Sequence, residues 1–565
     1  MIKLLQTPEN DGKYLLAIYA SLVAACVALF VLVLYDVRLN TLGEPFGDHL
    51  MAISIAISRL VYGVEGLAGL ESVLKVLKEI PNVSSINLSG IAQTEHYQLA
   101  INEAIQKATL IPHVDHASVH GYVNDISYLY YVILALYLFG MKIQSLSYLW
   151  LLLLFISIFL FIGAFRGKIE KLLFLWCLLI SILFIVVANP GVGNQLITVH
   201  NYRFIPILGL VPMLHLILSI DDKNDGLSKW FFATMQVLIF VFVLLARGSA
   251  QWMVVAVLIS MLYVGLGGHF KLRGNPARNV MRTGLVSLMF PIILIVTVFS
   301  LAKFSTAKFL HPEYSEELWA RSHVVWHAAV IGLTTDPVLM ERTVCSSQAL
   351  TDQLKGFSQI ECSSTPLRYP RLVYGILNPP HDMFGFQAAI RYLRSRGSDE
   401  QIGSELKRPD YLNIQWEMYD KVMKKVYFEM LIQSPIDSMY MYVLVKPLRY
   451  VKESMMYFTY FWKGISAARS SVAVLGMLCA IFALHIYLLH GYRGLLSRLR
   501  AQGEGCRALS ARTFWIIFLS SLLPSILFYS QAHTIADSVT VFLALGFVLQ
   551  FSWNGRVGRQ VKIVN

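Results

Sequence analysis

Apolar residues in this chain come in long unbroken runs. Such runs begin near Tyr14, Leu146, Leu172, Phe204, Trp230, Met253, Thr283, Ser471, Thr513 and Asp537, and a weaker one covers Tyr128 to Phe139. A helix needs roughly 20 apolar residues to cross the ~30 Å hydrocarbon layer of a bilayer. The pattern therefore predicts an all-α polytopic membrane protein with about 10–12 transmembrane helices. The first run, Tyr14 to Tyr35, is longer than the roughly 7–15 apolar residues of a signal peptide and reads as a retained anchor.

Composition agrees. Of 565 residues, 56% are hydrophobic and 15% charged, against about 45–50% and 25% in a soluble domain, which excludes a cytosolic or secreted globular enzyme. The net charge of +12 would suit a nucleic-acid partner if it were spread over a polar surface. Instead the basic residues gather in short connectors: Arg166 to Lys171, His269 to Arg282, the stretch up to Arg512, and the tail with Arg556, Arg559 and Lys562. Membrane proteins keep such connectors in the cytoplasm, so no nucleic-acid partner is implied. Alternation then places His200 to Arg203, Arg247 to Trp252 and Ala532 to Asp537 outside, together with one long late loop.

Three parts follow: an N-terminal transmembrane module (residues 1–301) that includes a first extracytoplasmic loop (36–127), an extracytoplasmic loop domain (302–470), and C-terminal transmembrane helices (471–565). Eleven spans cannot return both termini to the cytoplasm. Either Tyr128 to Phe139 is re-entrant or the apolar stretch Leu50 to Leu70 also crosses.

The first outer loop holds an amphipathic stretch. Leu50, Ile53, Ile57, Leu60 and Val64 share one helical face, which predicts a helix lying in the interface plane. Asp48 stands at its start, where a carboxylate caps free amides. Near the loop's end, His116 and His120 are four residues apart, beside His113 and Asp115. That spacing suits a divalent metal; a solvated polar lip explains the same residues. In the late loop, His323 and His327 repeat the spacing beside Arg321, and Cys345 and Cys362 are the two cysteines that an oxidising exterior would bridge. The aromatic stretch Ser454 to Ile465 reads as an interfacial approach helix to the next span.

No phosphate-loop, dinucleotide, nucleophile-elbow or HExxH signature is present. What the chain does offer is a row of ionisable groups at the outer mouths of spans: Asp48 and His49, His200 and Arg203, Arg247, and Arg321 with its two histidines. Arginine forks grip phosphate oxygens bidentately, and a carboxylate can take the proton of an incoming hydroxyl. The combination suits a lipid phosphate or diphosphate substrate.

A first span, an acidic residue just beyond it in GEPFGDHLMAISIA, many further spans and a large outer domain resemble the C-type (GT-C) integral-membrane glycosyltransferases. The resemblance implies transfer of a sugar from a polyprenyl-phosphate or polyprenyl-diphosphate carrier to a glycan, lipid or protein acceptor on the outer face of a bacterial inner membrane. Asp48 would correspond to the catalytic carboxylate, with Glu44 as a second candidate, and His200, Arg203, Arg247 and Arg321 would hold the donor phosphate. The adjacent acidic pair usual in that family is absent, since His49 follows Asp48. LLARGSAQWMVVAVLI ahead of a large loop is also similar to the O-antigen ligases and polymerases, in which Arg247 and Arg321 would dominate and His323 or His327 would be the base. A secondary transporter of a lipid-linked or small anionic solute is a third class, disfavoured because the charges gather at span ends.

Overall fold

The computed structural model describes residues 8–35, 37–42, 46–63, 71–80, 91–112, 114, 126–188, 198–220, 227–271, 278–309, 325–340, 370–377, 384–385, 388–389, 392, 416–467, 481, 485, 487, 511–530 and 535–563. Among them every regular element is helical and none is a strand. In chain order the helices used below are α1 (Pro8–Tyr35), α2 (Phe46–Tyr62), α3 (Glu71–Lys78), α4 (Ile91–Ala108), α5 (Ile126–Phe139), α6 (Gln144–Ala164), α7 (Ile169–Ala188), α8 (Leu210–Ile220), α9 (Leu227–Ala246), α10 (Trp252–Lys271) and α11 (Arg278–Phe309). The later ones are α12 (Val325–Leu333), α13 (Pro337–Met340), α14 (Arg371–Leu377), α15 (Trp416–Gln433), α16 (Pro435–Tyr440), α17 (Lys446–Ala467), α18 (Ala511–Ser521), α19 (Leu523–Leu527) and α20 (Ala536–Ile563).

Four stretches are long and apolar enough to cross a membrane: Leu15–Tyr35 in α1, all of α6, all of α7, and Ser228–Ala246 in α9. The other described apolar stretches are shorter, from 10 to 17 residues. Proline explains two of them. Pro206 opens a 3₁₀ turn, Ile205–Gly209, ahead of α8, and Pro524 begins α19 where α18 has just ended, because a ring without an N–H cannot continue the ladder.

The bundle is organised around α7, where every side chain from Leu172 to Leu179 is buried. A helix that is apolar all round belongs in a core, and α1, α17 and α20 pack along it. The apolar face of α2, expected against the acyl chains, is instead packed inside the protein, with Leu50, Ile53 and Ile57 buried. Residues Ala52 to Ser58 are buried without a break, and α2 packs on α3 and α5. Several of its off-stripe residues are small (Ala52, Ser54, Ala56, Ser58), which lets neighbours close in on the polar side too. The Ser54 hydroxyl returns its hydrogen to the Leu50 carbonyl at 2.7 Å.

A second, smaller apolar core joins α12, α13, α15 and the helix beyond it, through Val330, Leu333, Leu339, Tyr419, Met423, Met441 and Val445. Arg371 clamps it from α14, with Nε 2.8 Å from Asp336 and one terminal nitrogen 2.9 Å from Asp437. From Pro435 the backbone stays helical through a π-helical turn, Met441–Val445, into α17. The turn lies just before Pro447, which offers Val443 no N–H to bond and so loosens the ladder there. Val445 belongs to the small core, whereas Tyr450 and Tyr457 belong to the bundle core. The junction between the two cores thus runs through a continuous helix, some way before residue 470.

Candidate functional site

The segment between Thr198 and the 3₁₀ turn brings together most of the described site candidates. Asn201 shapes it: its backbone N–H donates to the Thr198 carbonyl at 3.0 Å, its side-chain oxygen accepts from the Arg203 N–H at 2.8 Å, and its carbonyl accepts from Phe204 at 2.8 Å. This tight turn buries His200 and Tyr202 and leaves Arg203 partly exposed. Arg203 Nε donates to the Tyr202 hydroxyl at 3.0 Å.

Arg247 arrives from another element. It ends α9 in extended conformation before the 3₁₀ turn Gly248–Gln251, and its guanidinium carbon lies 4.6 Å from the centre of the Tyr202 ring. The Arg203 guanidinium is 5.4 Å from the same ring. Like charges repel, so holding two guanidinium groups near one ring costs energy. The negative face of the phenol offsets part of that cost, and an anion between the cations would offset more. Arg203, Arg247 and Tyr529 are electrostatic neighbours.

Beneath the cations lies a layer of rings. His49 packs against His200 with centroids 5.5 Å apart and stacks on Tyr128 at 5.7 Å; Tyr128 in turn meets Tyr202 at 5.9 Å. His200 Nδ1 is 3.3 Å from the Thr198 hydroxyl. Neither ring nitrogen of His49 has a hydrogen-bond partner among the described residues. Burial lowers the His200 imidazole to about 3, against weaker opposing effects of backbone hydrogen bonds at Thr41 and His200 itself, so the ring is neutral at ordinary pH. A neutral layer beside the two cations leaves the local positive charge on Arg203 and Arg247.

A buried carboxylate flanks the site. The Trp252 indole, five residues after Arg247, donates to Asp537, and the other Asp537 oxygen accepts from the Ser538 N–H at 2.9 Å. The sequence marks Asp537 only as the start of an apolar run. Its pairing with Trp252, like the roles of Tyr128, Tyr202 and Tyr529, had no local signature.

Asp48 lies in the first turn of α2, one residue before His49, and its side chain is outside the described set. His327 belongs with the small core: its Nδ1 is 2.6 Å from the Tyr419 hydroxyl, and Gly385 approaches so closely that a Cβ there would be 2.5 Å from Nδ1. Glu44, Arg321, His323, the group His113, Asp115, His116 and His120, and the pair Cys345 and Cys362 all lie outside the described residues. Among the described residues no three His, Cys, Asp or Glu side chains form a group that could hold a metal, and Cys26 and Cys177 are free thiols.

No family model, curated protein or solved structure matches the chain.

Proposed function

We propose that this chain is a polytopic inner-membrane glycosyltransferase that moves a sugar from a polyprenyl-phosphate or polyprenyl-diphosphate carrier to an acceptor on the extracytoplasmic face. The observation that carries the reading is the convergence of Arg203 and Arg247 on Tyr202, next to the start of α2. Two guanidinium groups over a neutral layer suit the oxygens of a lipid phosphate. In this reading the acceptor hydroxyl oxygen attacks the anomeric carbon and Asp48 takes the hydroxyl proton. The bond between that carbon and the phosphate oxygen breaks, and the carrier leaves as its phosphate or diphosphate on Arg203 and Arg247. Glu44 is the second candidate for the base. Charge develops on the leaving phosphate, so fixed cations there stabilise the transition state more than the ground state.

A reading of the O-antigen ligase or polymerase type needs the same arginine pair but no carboxylate at the start of α2. One experiment separates them. The purified chain in liposomes is given a synthetic polyprenyl-diphosphate sugar and transfer is followed. Asp48→Asn is expected to keep carrier binding and lose about 10²–10⁴-fold in turnover, while Arg247→Ala loses carrier binding. Full turnover in Asp48→Asn, with loss in Arg247→Ala, favours the ligase or polymerase type. Absence of transfer in the wild type, with uptake of a lipid-linked solute, favours secondary transport.

A further inference from the structure

The helix that joins the two cores is inside out by the standards of a water-soluble protein. From Pro435 to Trp462 the exposed positions are Pro435, Ile436, Met439, Val443, Leu444, Leu448, Val451, Met455, Phe458, Thr459 and Trp462. None is charged, and the large apolar ones are 42% to 83% exposed. The charges point the other way: Lys446, Arg449 and Glu453 are 3%, 4% and 7% exposed, and Asp437 and Lys452 are half-buried.

Two of the inward charges are bonded to the bundle. Lys446 Nζ donates to the carbonyls of Ile526 and Leu527 at 3.0 and 3.2 Å, and Arg449 Nε donates to the Ser530 carbonyl at 2.9 Å. Further along, Tyr450 and Tyr457 neighbour Asp537. Successive turns of the helix therefore meet first Ile526 to Ser530 and then Asp537, before Phe458 and Phe461 reach Phe184 of α7.

The apolar stripe is kept in line by the π-turn. Ile436, Met439 and Val443 follow one three-and-four spacing; Leu444, Leu448, Val451, Met455, Phe458 and Trp462 follow another. By α-helical counting the second set is one residue out of phase with the first. A π-turn absorbs one extra residue, and the one at Met441–Val445 falls between the two sets and restores a single face. At 1.5 Å per residue that face is about 39 Å long, longer than the ~30 Å hydrocarbon layer is thick.

We propose that the helix Pro435–Trp462 is embedded along the outer leaflet, its apolar stripe against the acyl chains of the bilayer and its charged side closing the polar end of the bundle. Two observations favour lipid over a protein partner. Protein interfaces carry a polar rim, whereas the fully exposed positions of this face are uncharged and the one partly exposed lysine at its edge, Lys452, is held by Glu453 at 3.2 Å. The face is also carried by a helix that packs on α7, the most enclosed of the four long apolar helices. Acyl chains require uncharged contact and are indifferent to shape.

The inference rests on the membrane reading above and on none of its transfer chemistry. To test it, p-benzoylphenylalanine replaces Met439, Val451 or Met455, one at a time, in the full chain in liposomes of phosphatidylethanolamine and phosphatidylglycerol. Val23 of α1 and Phe159 of α6, both exposed, serve as reference positions. After irradiation, mass spectrometry is expected to find lipid adducts at the three stripe positions and at both references. Lipid adducts at the references with no adducts, or only protein cross-links, at the stripe would overturn the inference and leave the membrane reading standing. Absence of lipid at Val23 and Phe159 would overturn both. All three stripe positions are exposed, so the substitutions leave the packing alone.

Discussion

Helices α2 and α17 are the two amphipathic helices that adjoin the cation cluster or its flank, and the protein treats them in opposite ways. In α2 the residues off the apolar stripe include the small Ala52, Ser54, Ala56 and Ser58, and the helix is enclosed from Ala52 to Ser58. In α17 they include Lys446, Arg449 and Glu453, which turn inward, the two cations to carbonyl oxygens and Glu453 to Lys452, while the stripe stays outside. The lesson is that an amphipathic pattern does not say which face is buried. Small polar residues can satisfy themselves on their own helix and permit close approach. Long charged ones need partners at fixed places, and the segment around Ile526 to Ser530 provides them.

The largest effect should follow from taking an inward charge away. Arg449→Leu strands the buried Ser530 carbonyl and removes one of the two cations near Glu453, a loss of about 2–3 kcal/mol. Thermal unfolding in lipid would show it; an unchanged midpoint would mean that the inward charges do not hold the helix. Crowding α2 should cost slightly less. Ala56, with no exposed surface, has no room for Ala56→Leu, and overpacking costs about 1–3 kcal/mol. The same measurement on Val451→Leu, on the outward face of α17, should give less than about 0.5 kcal/mol. Equal effects at both positions would erase the contrast between the helices.

A pH-dependent effect belongs to His200, packed against α2. Its folded pKa of about 3 lies below the ordinary value of 6.5, so between those values the unfolded chain binds the extra proton. Stability from this group is therefore complete above pH 6.5 and is lost as pH falls toward 3. His200→Gln should flatten the dependence of the unfolding midpoint in that window. A slope identical to the wild type would show that His200 is solvated.

Much of the bundle was legible because apolar runs of spanning length announce themselves: the runs containing α1, α6, α7 and α9 are plain in the sequence. Broken runs were harder. The stretch after Phe204 reads as one span, but Pro206 diverts its start into a 3₁₀ turn, and Pro524 divides the run that begins at Thr513. At the site, Arg203 and Arg247 were visible as cations at the ends of apolar runs. Their shared partner Tyr202 was not, since a ring adjacent to one arginine in sequence gives no hint of a second one above it. The same holds for Asp537 and Trp252, which are 285 residues apart. Helix α17 lies in the stretch read as outer loop domain, and the sequence did not say which of its sides faces in; the bonds from Lys446 and Arg449 to carbonyls reveal it.

That long-range bond between Trp252 and Asp537 also sets a clock on biosynthesis. At about 5–20 residues per second, the 285 residues that separate them take about 15–60 s to be made. Throughout that interval α9 and α10 exist without α20, and the Trp252 indole has no Asp537 to donate to. The cation pair beside it therefore gains its flank only in the last stage of synthesis, so that early intermediates carry the two arginines without the finished wall around them.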